Sequence, residues 1–249
     1  MSRALIPAGI DACLFDLDGV ITRTGKVHAA AWKEMFDAYL RERAAARGEE
    51  PVPFHLPSDY TRYVDGKLRQ DGVRGFLASR GIELPEGDPD DGPELETVHG
   101  LGNRKNVLVV DLIEHGGVEV YDTSVRLVEL VRDAGLRRAV VSASKNCAAV
   151  LASAGIDHLF EVRVDGVVAA EEGLPGKPAP DTFLAAAERL GVPPERCAVF
   201  EDAISGVQAG RAGGFGWVVG VDREGHRAEL SAAGADLVVD DLVELVEDR

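Results

Sequence analysis

The sequence predicts an α/β protein, a doubly wound parallel-sheet core of Rossmann-like type carrying an inserted all-helical cap domain. Three observations predict it. From residue 118 onward, short apolar β-rich runs alternate with helical segments, which is the pattern of βα units in a parallel sheet. One further run of the same kind, residues 11–16, lies far upstream. Between the two, residues 25–117 show helical periodicity and no convincing strand. The upstream strand therefore joins the later units in one sheet. The core domain is drawn at 1–24 and 118–249 and the cap at 25–117, with hinges near 22–25 and 117–122.

Each element has its own signal. Ala12 to Phe15 is an unbroken apolar run and reads as a buried strand. Val27, Ala30, Ala31, Met35, Phe36 and Leu40 recur at helical spacing, so 26–47 reads as a helix, broken by Pro51, Pro53 and Pro57. Residues 70–80 give a short helix ended by Gly81, and 85–93, Pro-Glu-Gly-Asp-Pro-Asp-Asp-Gly-Pro, an exposed loop. Residues 103–115 are helical and stop at Gly116-Gly117. An amphipathic helix over 123–135 is closed by Gly135, and Ala139-Val140-Val141 is a short strand before a helix at 147–154. Phe160 to Val164 is strand-like, 180–190 is a helix closed by Gly191, Cys197 to Phe200 is a strand, and 204–212 is a helix. Trp217 to Val219 and Leu237 to Val239 are the last strands.

Composition narrows the function classes. The 249 residues are 45% hydrophobic, enough for a real core, and carry a formal net charge of −16. A surface this acidic disfavours nucleic acid, which needs a basic footprint, and equally an anionic membrane surface. A small anionic substrate then needs a local cationic pocket. Lysine occurs only at positions 26, 33, 67, 105, 145 and 177. Cys13, Cys147 and Cys197 are isolated and fit reduced thiols rather than a disulfide framework or zinc site. Residues 1–10 contain no long apolar stretch, and no run approaches transmembrane length, so the expected setting is cytoplasmic.

Four segments carry the chemistry, each just after a strand. Asp16 and Asp18, followed by Gly19, stand where open α/β sheets place their ligands. Two acids at this spacing suit Mg²⁺, and an aspartate carboxylate can serve as a nucleophile through an aspartyl-phosphate. The second is Val141-Ser142-Ala143-Ser144-Lys145-Asn146, a hydroxyl followed by a helix start that could cradle phosphate. The third is Gly176-Lys177-Pro178-Ala179-Pro180-Asp181, a stiffened loop with one cation. The fourth, Glu201-Asp202, ends another buried run. Taken singly, each also fits an ordinary turn, helix cap or surface lysine. Together they put acids, one lysine and one serine at the carboxyl edge of one sheet, the makings of a Mg²⁺ and phosphoryl site.

The order Asp-x-Asp-Gly-Val, Ser, Lys-Pro, Glu-Asp resembles the haloacid-dehalogenase-like phosphotransferase superfamily over residues from about 11 to 240. The resemblance implies Asp16 as nucleophile and Asp18 as general acid/base. It implies Mg²⁺ held by Asp16, the Asp18 carbonyl and Asp202 with Glu201 nearby or coordinating, and a phosphoryl group held by Ser142, beside Ala143, and Lys177. Within the superfamily, the stretch from Asp16 through Thr24 to His28 and Trp32, the segment Ser142 to Asn146, Gly66 to Asp71 and Arg104-Lys105-Asn106 resemble the β-phosphoglucomutase family. Arg23 stands where that family has a second aspartate.

That likeness implies a substrate site including Thr24, His28, Trp32, Arg69, Lys105, Ser144, Lys145 and Asn146. The likeness further implies that Arg69 grips a distal phosphate with Lys145 and Asn146, and that His28 restrains Asp18 until sugar binds. Trp32 fits a packing role in the cap core at least as well as one beneath the sugar. The partner is a small sugar phosphate. The leading expectation is a mutase taking β-glucose 1-phosphate to glucose 6-phosphate through a bisphosphate. The alternatives are a sugar-phosphate phosphatase and a non-catalytic phosphosugar-binding protein, the last disfavoured by the intact acids.

Overall fold

The structure, a computed structural model, describes residues 2–247. In chain order the elements are β1 (Arg3–Ala4), β2 (Ala12–Phe15), α1 (Gly25–Arg47), α2 (Arg69–Ser79), α3 (Val98–Gly116), α4 (Asp122–Asp133) and β3 (Arg137–Val141). They continue with α5 (Cys147–Ser153), β4 (Val162–Val164), α6 (Gly166–Glu172), α7 (Asp181–Leu190), β5 (Cys197–Glu201), α8 (Ile204–Ala212), β6 (Trp217–Val221), α9 (Arg227–Ala233), β7 (Leu237–Val239) and β8 (Val246–Glu247). The chain divides into two compact units, Met1–Arg23 with Val118–Arg249, and Thr24–Gly117.

The first unit is built on a six-stranded sheet of order β4-β3-β2-β5-β6-β7, with every neighbouring pair parallel. Helices connect the strands, as parallel pairing requires. Central β2 is buried along its whole length, with Leu14 opposite Ala139 of β3 and Val199 of β5. Phe15 stacks on Phe200 at 4.6 Å between ring centroids. The chain winds from β2 through β3 to β4 on one side and then from β5 to β7 on the other, so the carboxyl end of β2, beside β5, is the switch point at which ligands bind in such sheets. Asp16 follows β2 directly, Ser142 follows β3, and Glu201 closes β5. The segments leading out of this unit and back run side by side: Tyr121 N–H donates to Ile21 O at 2.8 Å and Arg23 N–H to Glu119 O at 2.9 Å.

The second unit is helical, and among the described residues it contains no strand. A π-helical turn at Tyr60–Val64 precedes α2. Its core is aromatic. Phe36 lies 5.2 Å from Trp32, 5.2 Å from Phe54 and 4.3 Å from Phe76, centroid to centroid.

Some elements differ from the sequence expectation. Helix α3 begins at Val98, not 103, because Thr97 Oγ1 accepts from Gly100 N–H at 2.9 Å and the carbonyls of Pro85 and Glu86 take the N–H groups of Val98 and His99. The 160–164 strand shortens to β4, because a 3₁₀ turn at Asp157–Leu159 takes up the approach. Helices α6 and α9 were not expected. Each has seven residues, and Asp165 fixes the start of α6 by accepting from the N–H groups of Val167 and Val168. Nor was the antiparallel pair β1 and β8, which joins the two ends of the chain.

Candidate functional site

Three strand ends and one loop assemble the core-unit site. Asp16 is 6% exposed and its backbone N–H donates to Phe200 O at 2.9 Å, which fixes the start of its side chain against β5. The loop before α7 brings in Lys177, 3% exposed. Its Nζ lies 2.5 Å from Asp16 Oδ1 and also donates to Glu201 Oε1. The other Glu201 oxygen accepts from Ala203 N–H at 2.8 Å. Gly206 makes room for this: a Cβ there would lie 1.8 Å from Glu201 Oε1.

The charges do not balance. Burial lifts the Asp16 carboxyl well above the usual carboxylate range; Lys177 opposes this, while Glu201 and Asp18 reinforce it. Burial by itself would lower the Lys177 ammonium, but Asp16 and Glu201 outweigh it and raise it. One lysine faces two buried carboxylates and stays charged, while ionising Asp16 is disfavoured by its burial and its acidic neighbours.

A second carboxylate lies close to the first motif. Gly19 has φ +92°, and a Cβ there would meet Asp202 Oδ2 at 1.8 Å. The Asp202 carboxylate therefore lies against the backbone of the turn that follows Asp18. The turn is held by Gly19 N–H donating to Thr22 O at 2.7 Å and by Arg223 Nε donating to Gly19 O at 3.0 Å. Surplus negative charge beside oxygen donors fits a hard cation such as Mg²⁺. Among the described residues no three side chains of metal-ligating type converge. A cation here could draw on the Asp16 and Asp202 carboxylates and on the main-chain carbonyl of Asp18. Glu201 is engaged otherwise: both its oxygens are taken, by Lys177 and by Ala203 N–H, and it orients the lysine.

Ser142 serves both its turn and the acids. Its Oγ accepts from Ser144 N–H at 3.1 Å and donates to Asp18 Oδ2 at 3.2 Å. Ser144 Oγ in turn accepts from Asn146 N–H at 3.1 Å, Ala143 is half-buried, and Lys145 is exposed.

The helical unit holds its own group of polar side chains. Lys105, only 4% exposed, has Nζ 2.7 Å from His28 Nδ1 and 4.9 Å from the centre of the Trp32 ring. Trp32 is buried and stacks on Phe36, so it packs in the core of this unit. Thr24 is buried at the start of α1. Arg69 opens α2, and its NH2 donates to Asn103 Oδ1 at 3.1 Å. Its Nε is buried with no hydrogen-bond partner. Burial alone lowers the guanidinium, to about 10.

Sequence reading missed Asn103 and Arg223. The first sits beside the segment Arg104 to Asn106, which it did single out. The second follows β6, and a position just past a strand end was the available signal.

A family model described as haloacid dehalogenase-like hydrolase matches residues 10–214. The chain is 57% identical to a β-phosphoglucomutase of Mycobacterium bovis, over 98% of this chain and 95% of that one. It is 34% identical to a fructose-1-phosphate phosphatase of Escherichia coli, over 81% of this chain and 92% of the relative. Among solved structures, a β-phosphoglucomutase from Clostridium difficile superposes with a TM-score of 0.72 at 26% identity, covering 95% of this chain and 93% of the other.

Proposed function

The chain belongs to the haloacid dehalogenase-like hydrolase family and is an enzyme of its β-phosphoglucomutase-like branch, and from that premise we propose that it is a Mg²⁺-dependent mutase converting β-glucose 1-phosphate to glucose 6-phosphate. The observation that carries the reading is the buried Asp16–Lys177–Glu201 group at the switch point of the sheet, with Asp18 bonded to Ser142 beside it. Asp16, once ionised against Lys177, is a nucleophile awaiting an electrophile, and a phosphoryl group bound next to Lys177 supplies one.

In the proposed cycle Asp16 carries a phosphoryl group. The sugar O6 attacks it, the Asp16 O–P bond breaks, and the O6 proton passes to Asp18. The 1,6-bisphosphate turns around. Asp16 then attacks the phosphorus at C1, the O1–P bond breaks, and Asp18 returns the proton to O1. Glucose 6-phosphate leaves and the phosphoenzyme is regenerated. Lys177 and Ser142 stabilise the charge that develops on the phosphoryl oxygens. Mg²⁺, when bound by Asp16, Asp202 and the Asp18 carbonyl, neutralises further phosphoryl charge. In the helical unit Arg69 is the proposed ligand of the second phosphate, because a guanidinium meets phosphate through two parallel hydrogen bonds. Its partly buried guanidinium, whose Nε lacks a hydrogen-bond partner and which no carboxylate neutralises among the described residues, supports the assignment. Ser144, Lys145, Asn146, His28 and Lys105 are proposed contacts of the sugar phosphate.

A second reading, a sugar-phosphate phosphatase, is favoured by one observation: a relative 34% identical to this chain is a fructose-1-phosphate phosphatase. One assay separates the two. Purified protein receives Mg²⁺, β-glucose 1-phosphate and a trace of glucose 1,6-bisphosphate, with glucose 6-phosphate and free phosphate read together. The mutase reading predicts glucose 6-phosphate as the main product. Release of mainly free phosphate would replace it with the phosphatase.

A further inference from the structure

Residues 85–93 are rich in acid and surface-exposed, yet they are tied down along their length. Arg74 forks onto Glu86, with Nε 3.0 Å from Oε2 and NH2 on Oε1. Asp91 Oδ2 accepts from Thr97 Oγ1 at 2.5 Å and from Asp88 N–H at 3.1 Å. Arg104 Nε donates to Pro93 O at 2.6 Å. The carboxylates of Glu86 and Asp91 are thus spent bracing the backbone. What the loop offers inward is main-chain carbonyls, and two of them meet one side chain. Asn103 Nδ2 donates to Asp91 O at 2.8 Å and to Pro89 O at 3.1 Å.

Two carbonyls demand the NH₂ end of an amide. The Oδ1 end is then left facing Arg69 NH2, 3.1 Å away. A flipped amide would set its oxygen against two carbonyls and its NH₂ against a guanidinium, losing every one of these bonds. The loop therefore dictates which end of Asn103 faces Arg69. The amide is also neutral. It orients the guanidinium without cancelling its charge, and among the described residues no carboxylate forms an ion pair with Arg69. An aspartate at 103 would have quenched the cation.

We propose that residues 85–93 act as a strap that, through the amide of Asn103, aims Arg69 at a phosphate dianion. Asn103 is then a positioning residue, and the strap sets selectivity for sugar phosphates that place a phosphate away from the reacting centre over esters whose only phosphate is the one transferred. This rests on the assignment of Arg69 to the distal phosphate.

The test is a double-mutant cycle, because a residue that acts only through another has no effect once that other is gone. Wild type, Asn103→Ala, Arg69→Ala and the double variant are compared on β-glucose 1-phosphate primed with glucose 1,6-bisphosphate, and on p-nitrophenyl phosphate. Asn103→Ala is expected to raise KM for the sugar phosphate about fivefold, with kcat within about twofold, and to leave p-nitrophenyl phosphate kinetics unmoved. The aryl substrate and the melting temperature report that the variant is folded. In the Arg69→Ala background the same change should add less than about twofold. Asn103→Asp, which is isosteric, should raise KM further than Asn103→Ala. An unchanged KM in Asn103→Ala, an equal loss on both substrates, or the same loss with Arg69 already absent would overturn the strap alone. If Arg69→Ala itself leaves the sugar-phosphate KM unchanged, the distal-phosphate assignment fails and the strap with it.

Discussion

A methyl group on Gly19 would lie 1.8 Å from Asp202 Oδ2, on a residue whose φ is +92°. Gly19→Ala therefore strains the backbone and displaces a carboxylate in one step. The expected outcome is a loss of about 1–3 kcal/mol in stability, seen by denaturant titration. A fall in kcat of about a hundredfold should accompany it, because small displacements of reacting groups are costly. Asp202→Ala should separate the two effects, raising the Mg²⁺ concentration needed for half-maximal activity while the fold survives. Activity that survives excess chelator would remove the metal from the account. At this scale the sequence was legible wherever a chemical group stands at the end of a strand, as Asp16, Ser142 and Glu201 do. It was not legible for Asn103, whose role exists only because a loop twelve or more positions earlier in the chain closes over it. Nor was the pairing of Glu201 with Lys177, which depends on side-chain direction that no pattern encodes.

Caps and loops decide where the elements start, and they account for most of the difference between expectation and fold. Helix α3 gains its first turn from Thr97 and from the carbonyls of the preceding loop. The long periodic helix α1 and the apolar strands were plain, because their burial patterns repeat over enough residues to be seen. Asp241 gives a test at this scale. It starts the 3₁₀ turn Leu242–Leu245, accepting from Val243 N–H, and it receives Arg223 NH1 at 3.0 Å. Arg223 is also the residue that holds Gly19 O. Burial raises the Asp241 carboxyl, but the bonds from Val243, Thr123 and Arg223 outweigh it and leave it below the usual carboxylate range. A lowered carboxyl stabilises the fold above its unfolded-state value, and that contribution fades as pH falls through the folded value. Asp241→Asn should therefore cost roughly 1 kcal/mol at neutral pH. Denaturant titrations of wild type and variant should converge in acid; a gap that stays constant with pH would refute the assignment.

Across the whole molecule, chemistry and redox character divide cleanly. Cys13, Cys147 and Cys197 are all buried. Burial pushes their thiols up, Cys197 to about 12, so almost no thiolate exists at neutral pH. Intact-mass spectra should show native protein alkylated slowly by iodoacetamide and all three thiols modified once denaturant is added. Fast single-site labelling of the native protein would contradict this. Among the described residues no helix is long and apolar enough to cross a membrane. The division into two units follows one fact already visible in the sequence, a strand separated from its sheet partners by a long helical stretch. The central claim is that phosphoryl groups pass through Asp16, and trapping tests it most directly. Enzyme turning over β-glucose 1-phosphate is quenched in acid and peptide-mapped by mass spectrometry. The account predicts a phosphoryl group on the peptide containing Asp16, and neither phosphorylation nor turnover in Asp16→Asn, which keeps its fold. Phosphate found on another residue, or Asp16→Asn turning over within about tenfold of wild type, would contradict it.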